Sequence, residues 1–413
     1  MKRIALATAL ALSAPLMAQS PGAAPAMNPK VRAITAFVRL DRAQWQAEVL
    51  EALGVLRRAK SAFEEKGYAV ETVRITTQPL PELIAGLSED DAVKFLGALD
   101  RFSVAEQFLP NVGPAMLDDR GDAMAMHVLA RALTTLPNIE ASTIIADQGG
   151  IHWKTIARTA ELVKYVADHS VHSQGTFNFA ATAMQKPLGP FYPASYHTGP
   201  GHQFAVGFES AGVVARVFTR DKGDVEAATR DLTAELARHA RAAEDVGNQV
   251  AAATGWEYAG LDPTPAPLGD VSIAAAIEDF TGARFGSSGT LTAARIITAA
   301  VKAVPVKQTG YAGLMVPVLE DKVMARRWAE GTYNVDSLLA YSAVCATGLD
   351  TVPLPGDVGV EQLERMYSDV ASLAFKWNKP LSARLEPVAG KKAGDMTEFE
   401  DPYLFNTRIR ELP

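Results

Sequence analysis

Hydrophobic positions along the chain switch repeatedly between the alternation of a strand and the three-or-four spacing of a helix. Residues 31–40 (VRAITAFVRL) alternate as a strand, with Arg32 and Arg39 left for an end or the opposite face. Trp45, Val49, Leu53, Leu56 and Phe63 then recur at helical spacing across 43–66, and Gly67 supplies the stop. The switch repeats through strand 68–75, helices over 81–99, strand 103–109, helix 122–136, strand 141–146, helix 151–168 and strand 176–181. Five strands separated by helices with short connections predict a mostly parallel sheet.

Residues 184–201 (MQKPLGPFYPASYHTGPG) break the rhythm with Pro, Gly and aromatic side chains, and read as a lid or mouth loop. Beyond them the alternation resumes. Strands are predicted at 203–208, 256–261, 312–318, 349–354 and 381–388, and helices at 225–254, after Gly269, after Gly289, and over 322–330, 335–342 and 360–377. The tally is ten strands, five on each side of the loop. It gives an α/β domain over 30–413 with halves at about 30–183 and 202–390.

The first residues follow a different pattern. Lys2 and Arg3 precede an apolar run over 4–12, and small Ala18 before Gln19 offers a cleavage point. Residues 1–18 therefore read as a signal peptide and 19–29 as a linker, because the apolar run is too short to span a bilayer. The expectation is a protein exported to a periplasm or beyond the cell, with no membrane association after cleavage. Across 413 residues the net charge is −7 with Arg and Lys scattered, so nucleic acid is not an expected partner. The single cysteine, Cys345, excludes an intramolecular disulfide. It follows a helical pattern, where a buried small residue and a nucleophile are both open readings.

Candidate chemistry collects in turns. Gly286-Ser287-Ser288-Gly289-Thr290 opens a helix, and Ser287, Ser288 and Thr290 are candidate ligand-binding residues or plain caps. Asp262 and Thr264 sit in the stiff segment DPTPAP, either as ligand-binding groups or as a rigid strand exit. Glu320 with Asp321, and Asp395 with Glu398, are acid pairs that suit a divalent cation or a solvated surface. Asp350 opens another strand, and His197, next to a Gly-Pro-Gly turn, is a candidate acid or base. No GxSxG, GxGxxG, Walker or HExxH spacing is present, which removes the commonest hydrolase, dinucleotide, nucleotide and zinc readings.

Taken in order, VRAIT at Val31, LDPTPAP at Leu261, the GTLTAA run from Gly289, GYAGLMVPVLED at Gly310, AVCATGLDTVPLPGD at Ala343 and GDMTEF at Gly394 resemble a bacterial and archaeal family. It is domain of unknown function 711, also called uncharacterised protein family 0210. The resemblance implies a ten-stranded α/β barrel like that of pyruvate formate-lyase and ribonucleotide reductase, built of two five-stranded parallel halves set antiparallel. It does not bring their radical chemistry: the C-terminus has no glycyl-radical segment, and Cys345 has no second cysteine as partner. Cys345 and Asp350 match the family's Cys and Asp. His197 matches a family His that is followed by Gly, whereas Thr198 intervenes here. The export signal is a departure from the family's cytosolic members.

Three readings of function stand at this stage. The first is an enzyme acting on a small anionic metabolite, with His197, Asp350 and Cys345 as catalytic candidates. The second is an exported small-ligand binding protein, and the third a scaffold whose Ala-rich helices form a homo-oligomer.

Overall fold

A computed structural model describes residues 28–269, 271–344 and 347–412. The expected signal peptide, nearly all of the linker, and Cys345 lie outside the described residues. The ten strands are β1 (Lys30–Val38), β2 (Val70–Thr76), β3 (Leu109–Pro114), β4 (Glu140–Asp147), β5 (Gly150–Ile151), β6 (Phe179–Ala183), β7 (Gly201–Glu209), β8 (Glu257–Asp262), β9 (Gly348–Pro355) and β10 (Leu381–Val388). They form one sheet in the order β8-β7-β1-β2-β3-β4-β6-β10-β9, with short β5 hairpinned onto β4.

The five long strands of the first half lie parallel in the middle. The second half is divided between the two flanks. β7 runs antiparallel to β1 and carries β8 parallel beside it, while β10 runs antiparallel to β6 and carries β9. Two halves set antiparallel are therefore present, as the family resemblance implied, although hydrogen bonds do not close the sheet into a ring.

The gap lies where strand 312–318 was expected. That segment is irregular, and a clasp explains why. Asp262 accepts from Tyr311 N at 2.7 Å, from Ala312 N at 3.2 Å and from Thr264 Oγ1 at 2.5 Å, while Thr264 Oγ1 accepts from Gly313 N at 2.9 Å. Backbone groups that a strand would spend on neighbours are committed to side chains. Gly310 takes φ 68°, and a Cβ there would stand 2.2 Å from Asp262 Oδ2. The chain from Thr309 to Val318 still spans the gap: Thr309 N donates to Leu261 O of β8 at one end and Val318 N to Asp350 O of β9 at the other.

A second expectation is corrected nearby. Residues 103–106 complete the helix Glu89–Glu106, which Gln107 ends in the left-handed region. The strand lies further on, at β3, where Pro110 and Pro114 obscure its alternation.

Alternation fixes which strand residues face outward. Ile75, Ala141, Ile145, Ala181, Ala383 and Leu385 join the apolar layer beneath the helices. Their neighbours Thr72, Arg74, Glu140, Ala180, Ser382 and Arg384 line one internal cavity. Among the described residues no helix is long and apolar enough to cross a membrane.

Candidate functional site in the barrel interior

The loop expected to cover the mouth instead runs into the interior. Thr35 Oγ1 donates to Pro190 O at 2.7 Å, Asn111 Nδ2 donates to Pro193 O at 2.7 Å, and Ser195 Oγ lies 2.8 Å from Thr76 Oγ1. Interior polar groups of β1, β2 and β3 thus satisfy the backbone and side chains of a buried connection that would otherwise lose its water without replacement. The tip, from Phe191 to Ala194, forms one wall of the cavity.

The space beyond the tip has a volume of about 240 Å³. Seven of the ten strands contribute to its wall, together with Tyr311, Met315, Pro317 and Glu320 from the bridging segment and Asp401, Pro402 and Tyr403 from the chain's last segment. Few of its polar groups are equivalent.

One side is a chain of ion pairs. Lys30 Nζ is 2.9 Å from Glu71 and 3.4 Å from Glu209. Arg32 reaches Glu71 at 3.3 Å, Glu209 at 3.7 Å and Glu320 at 3.2 Å. Arg384 then binds Glu320 as well, and its Nε donates to Asp350 Oδ1 at 2.6 Å. Burial pushes Glu209 up to about 7, aided by the adjacent Glu71 carboxylate and opposed by Arg32 and Lys30. Within this chain each cation has at least two carboxylates.

The other side is unsaturated. Arg74 is buried, its Nε donates to Thr72 Oγ1 at 2.9 Å, and its guanidinium lies over the Tyr192 ring at 4.8 Å. Among the described residues no carboxylate forms an ion pair with it. Burial lowers its pKa, and Glu140 only partly offsets that. The Glu140 side chain has no hydrogen bond or ion pair among the described residues. Burial raises its carboxyl to about 7 against the pull of Arg74 and Arg384. A buried cation with no carboxylate in ion-pair contact and a carboxyl raised towards neutrality thus line the same space.

The residues singled out from sequence are dispersed relative to this cavity. Glu320 and Asp350 do meet there, from separate parts of the chain, but as partners of Arg384. Asp262 and Thr264 are the clasp on the bridging segment; burial raises Asp262 to about 6 despite its four donors. Asp321 accepts from Ser272 Oγ and from the amides of Ile273, Ala274, Val323 and Met324, so it caps two helices at once. Ser287 and Ser288 are exposed on the helical exterior, and Thr290 Oγ1 accepts from Gly286 N at 3.0 Å, closing that turn.

Asp395 and Glu398 lie on an exposed turn, one accepting from Lys392 N and the other paired with Lys391. His197 is buried beside Phe37 and donates Nε2–H to Val38 O at 2.7 Å, and burial lowers its pKa. It does not line the cavity. Among the described residues no group of three or more His, Cys, Asp and Glu is arranged to hold a metal ion. The acid pairs expected to suit a divalent cation are thus taken up by arginines, backbone amides and a lysine.

Arg74, Glu140, Arg384 and Tyr192 were not singled out from sequence. A weak signal existed for Arg384 alone: in LSARLEPV, Arg384 and Glu386 occupy alternate positions within a largely apolar strand, which marks an interior polar face.

Comparison with known proteins agrees with the family resemblance. Residues 25–400 match the family described as Uncharacterised ACR (DUF711). A UPF0210 protein of Pyrobaculum arsenaticum is 31% identical over 383 residues, covering 86% of this chain and 84% of that one. A UPF0210 protein of Listeria monocytogenes is 29% identical over 379 residues, covering 86% and 82%. Among solved structures, the anaerobic ribonucleotide reductase from Thermotoga maritima, in complex with dATP and CTP, aligns with a TM-score of 0.40 and 8% identity over 86% of this chain and 75% of that one.

Proposed function

Since the chain belongs to the DUF711, or UPF0210, family, whose description names no reaction, we propose a function from the site itself: the protein binds and transforms a small anionic metabolite inside the barrel. The observation that carries this is Arg74, a buried guanidinium lining a cavity with no carboxylate paired to it. Burying a cation without a counter-ion is costly. A ligand carboxylate or phosphate supplies the missing charge and takes the bidentate geometry that guanidinium offers.

Glu140 is the acid or base in this reading, because a carboxyl held at about 7 exchanges protons readily at neutral pH. It replaces His197 in that role. With residues 1–18 read as an export segment, the metabolite is one met in a periplasm or outside the cell. A purely binding role uses Arg74 equally well; the cavity-lining position of unpaired Glu140 favours turnover.

The test is titration of the full chain with acetate, propionate and inorganic phosphate by calorimetry, beside Arg74→Met and, as a control, Arg39→Met at the exposed Glu82 pair. At least one anion is expected to bind wild type and the control alike and to lose about tenfold or more in affinity with Arg74→Met. Equal affinity in Arg74→Met would remove Arg74 as the anchor and the proposal with it.

A further inference from the structure

The wall of the cavity carries three arginines, Arg32, Arg74 and Arg384, and four carboxylates, Glu140, Glu320, Asp350 and Asp401. Glu320 is shared by Arg32 and Arg384, and Asp350 belongs to Arg384. Asp401 accepts from Tyr403 N at 2.8 Å and has no cation within ion-pair distance among the described residues. After pairing, the wall is left with one free guanidinium, Arg74, and two free carboxylates, Glu140 and Asp401.

A ligand with negative charge alone satisfies Arg74 and brings a further anion towards Glu140 and Asp401. In a low-dielectric space that repulsion removes much of the gain. A ligand with one negative and one positive group satisfies all three residues. Resting on Arg74 as the anion anchor, we propose that the ligand is a small zwitterion, of which a free amino acid is the simplest kind, with its carboxylate on Arg74 and its ammonium against Glu140 and Asp401.

The strand register sets the spacing. Arg74 is paired with Leu109 across β2 and β3, and Asn111 with Glu140 across β3 and β4, so the two residues stand two strands apart. Their backbones are thus about 10 Å apart across the sheet. The side chains converge on one cavity without forming an ion pair with each other. Between opposite charges held apart in this way, a ligand bearing both complementary charges fits as a bridge. The rings of Tyr192, Phe177 and Tyr403 supply apolar wall for its remaining atoms.

A pH signature separates a zwitterion from a plain anion. Glu140 faces Arg74 from β2, Arg384 from β10, Glu320 from the bridging segment and Asp401 from the C-terminal segment, and burial holds its carboxyl at about 7. Between about pH 6 and 8 it therefore passes from neutral to charged. An ammonium needs the charged form, so zwitterion affinity rises with pH. A carboxylate without an ammonium is repelled by the charged form, so its affinity falls.

The experiment is calorimetric titration of the full chain across that range. The probes are the standard amino acids, β-alanine and γ-aminobutyrate, with acetate and propionate as plain carboxylates and methylammonium as a plain cation. One zwitterion is expected to bind about tenfold or more tighter than acetate at the upper pH, with opposite pH slopes for the two classes. Glu140→Gln is expected to abolish that advantage while leaving acetate binding unchanged or tighter. If this variant fails to fold, the wild-type slopes decide alone.

Acetate or propionate bound through Arg74, with zwitterions no tighter or with slopes of the same sign, would overturn the zwitterion and leave the anion reading standing. Absence of binding by every probe would overturn both.

Discussion

Arg74 is buried and Arg384 nearly so, and both line one cavity, yet their surroundings are opposite. Arg384 holds two carboxylates, Asp350 and Glu320, and Glu320 is shared onward with Arg32. Arg74 has a hydroxyl and an aromatic face but no counter-ion among the described residues. The saturated arginine is a structural part of the wall, and the unsaturated one is held ready for something else. Identical residue type and similar burial therefore say little about role until the charges around each are counted.

Removing each cation tests this most strongly. Arg384→Met strands Asp350 as a buried, uncompensated anion and leaves Glu320 with Arg32 alone, and is expected to cost about 3–5 kcal/mol in denaturant unfolding. The reverse sign is expected at the other arginine. Arg74→Met removes a buried charge that has no partner, and should raise the stability of the ligand-free protein by about 1–2 kcal/mol while weakening anion binding. Equal losses from the two variants would dissolve the distinction.

The pH dependence of stability sharpens the unsaturated side. The Glu140 pKa is raised to about 7 in the folded chain, above its ordinary carboxylate value. Its contribution is therefore fully present below the unfolded value, near 4.5, and is lost as pH rises through about 7. Melting of wild type beside Glu140→Gln should show a gap that grows in favour of the variant from about pH 5 to pH 8. Glu209 and Glu386, which burial raises to about 7 and about 8, act in the same direction but cancel in this difference. The smallest effects belong to the surface: Ser288→Ala and Glu398→Gln are expected to change neither ligand affinity nor melting temperature measurably.

These outcomes bear on what the sequence disclosed. Strand and helix succession was legible because alternation between an apolar outer face and a varied inner face marks every long strand but one pair of segments. The bridging segment 312–318 looked like a strand from its apolar residues, and became irregular because Asp262 and Thr264, distant in sequence, take its amides. Strand β3 was displaced because its prolines hide its pattern while the preceding helix runs on to Glu106.

The site was less legible for a different reason. Ser287 and Ser288 carry a strong local signature of anion binding, and local signatures do not reveal that the turn is on the outside. Arg74 and Glu140 carry no local signature at all. Their importance comes from lacking partners, which is a property of strand order and of which side chains the neighbouring strands present. Glu320 and Asp350 were found from strand-end position, and only the placement of Arg384 shows what they neutralise.

The last segment of the chain has a consequence for when the site exists. Asp401, Pro402 and Tyr403 stand on the cavity wall, and Tyr403 lies against Arg32 with 5.4 Å from guanidinium to ring centre. Arg32 is among the first residues of the described chain to be synthesised and Tyr403 among the last. A chain folding from its first strands can complete the central parallel sheet, yet its pocket stays unfinished until Asp401, Pro402 and Tyr403 have joined it. Segments far apart in the sequence thus meet in one wall, and a chain cut before Asp401 keeps its sheet but not a complete site.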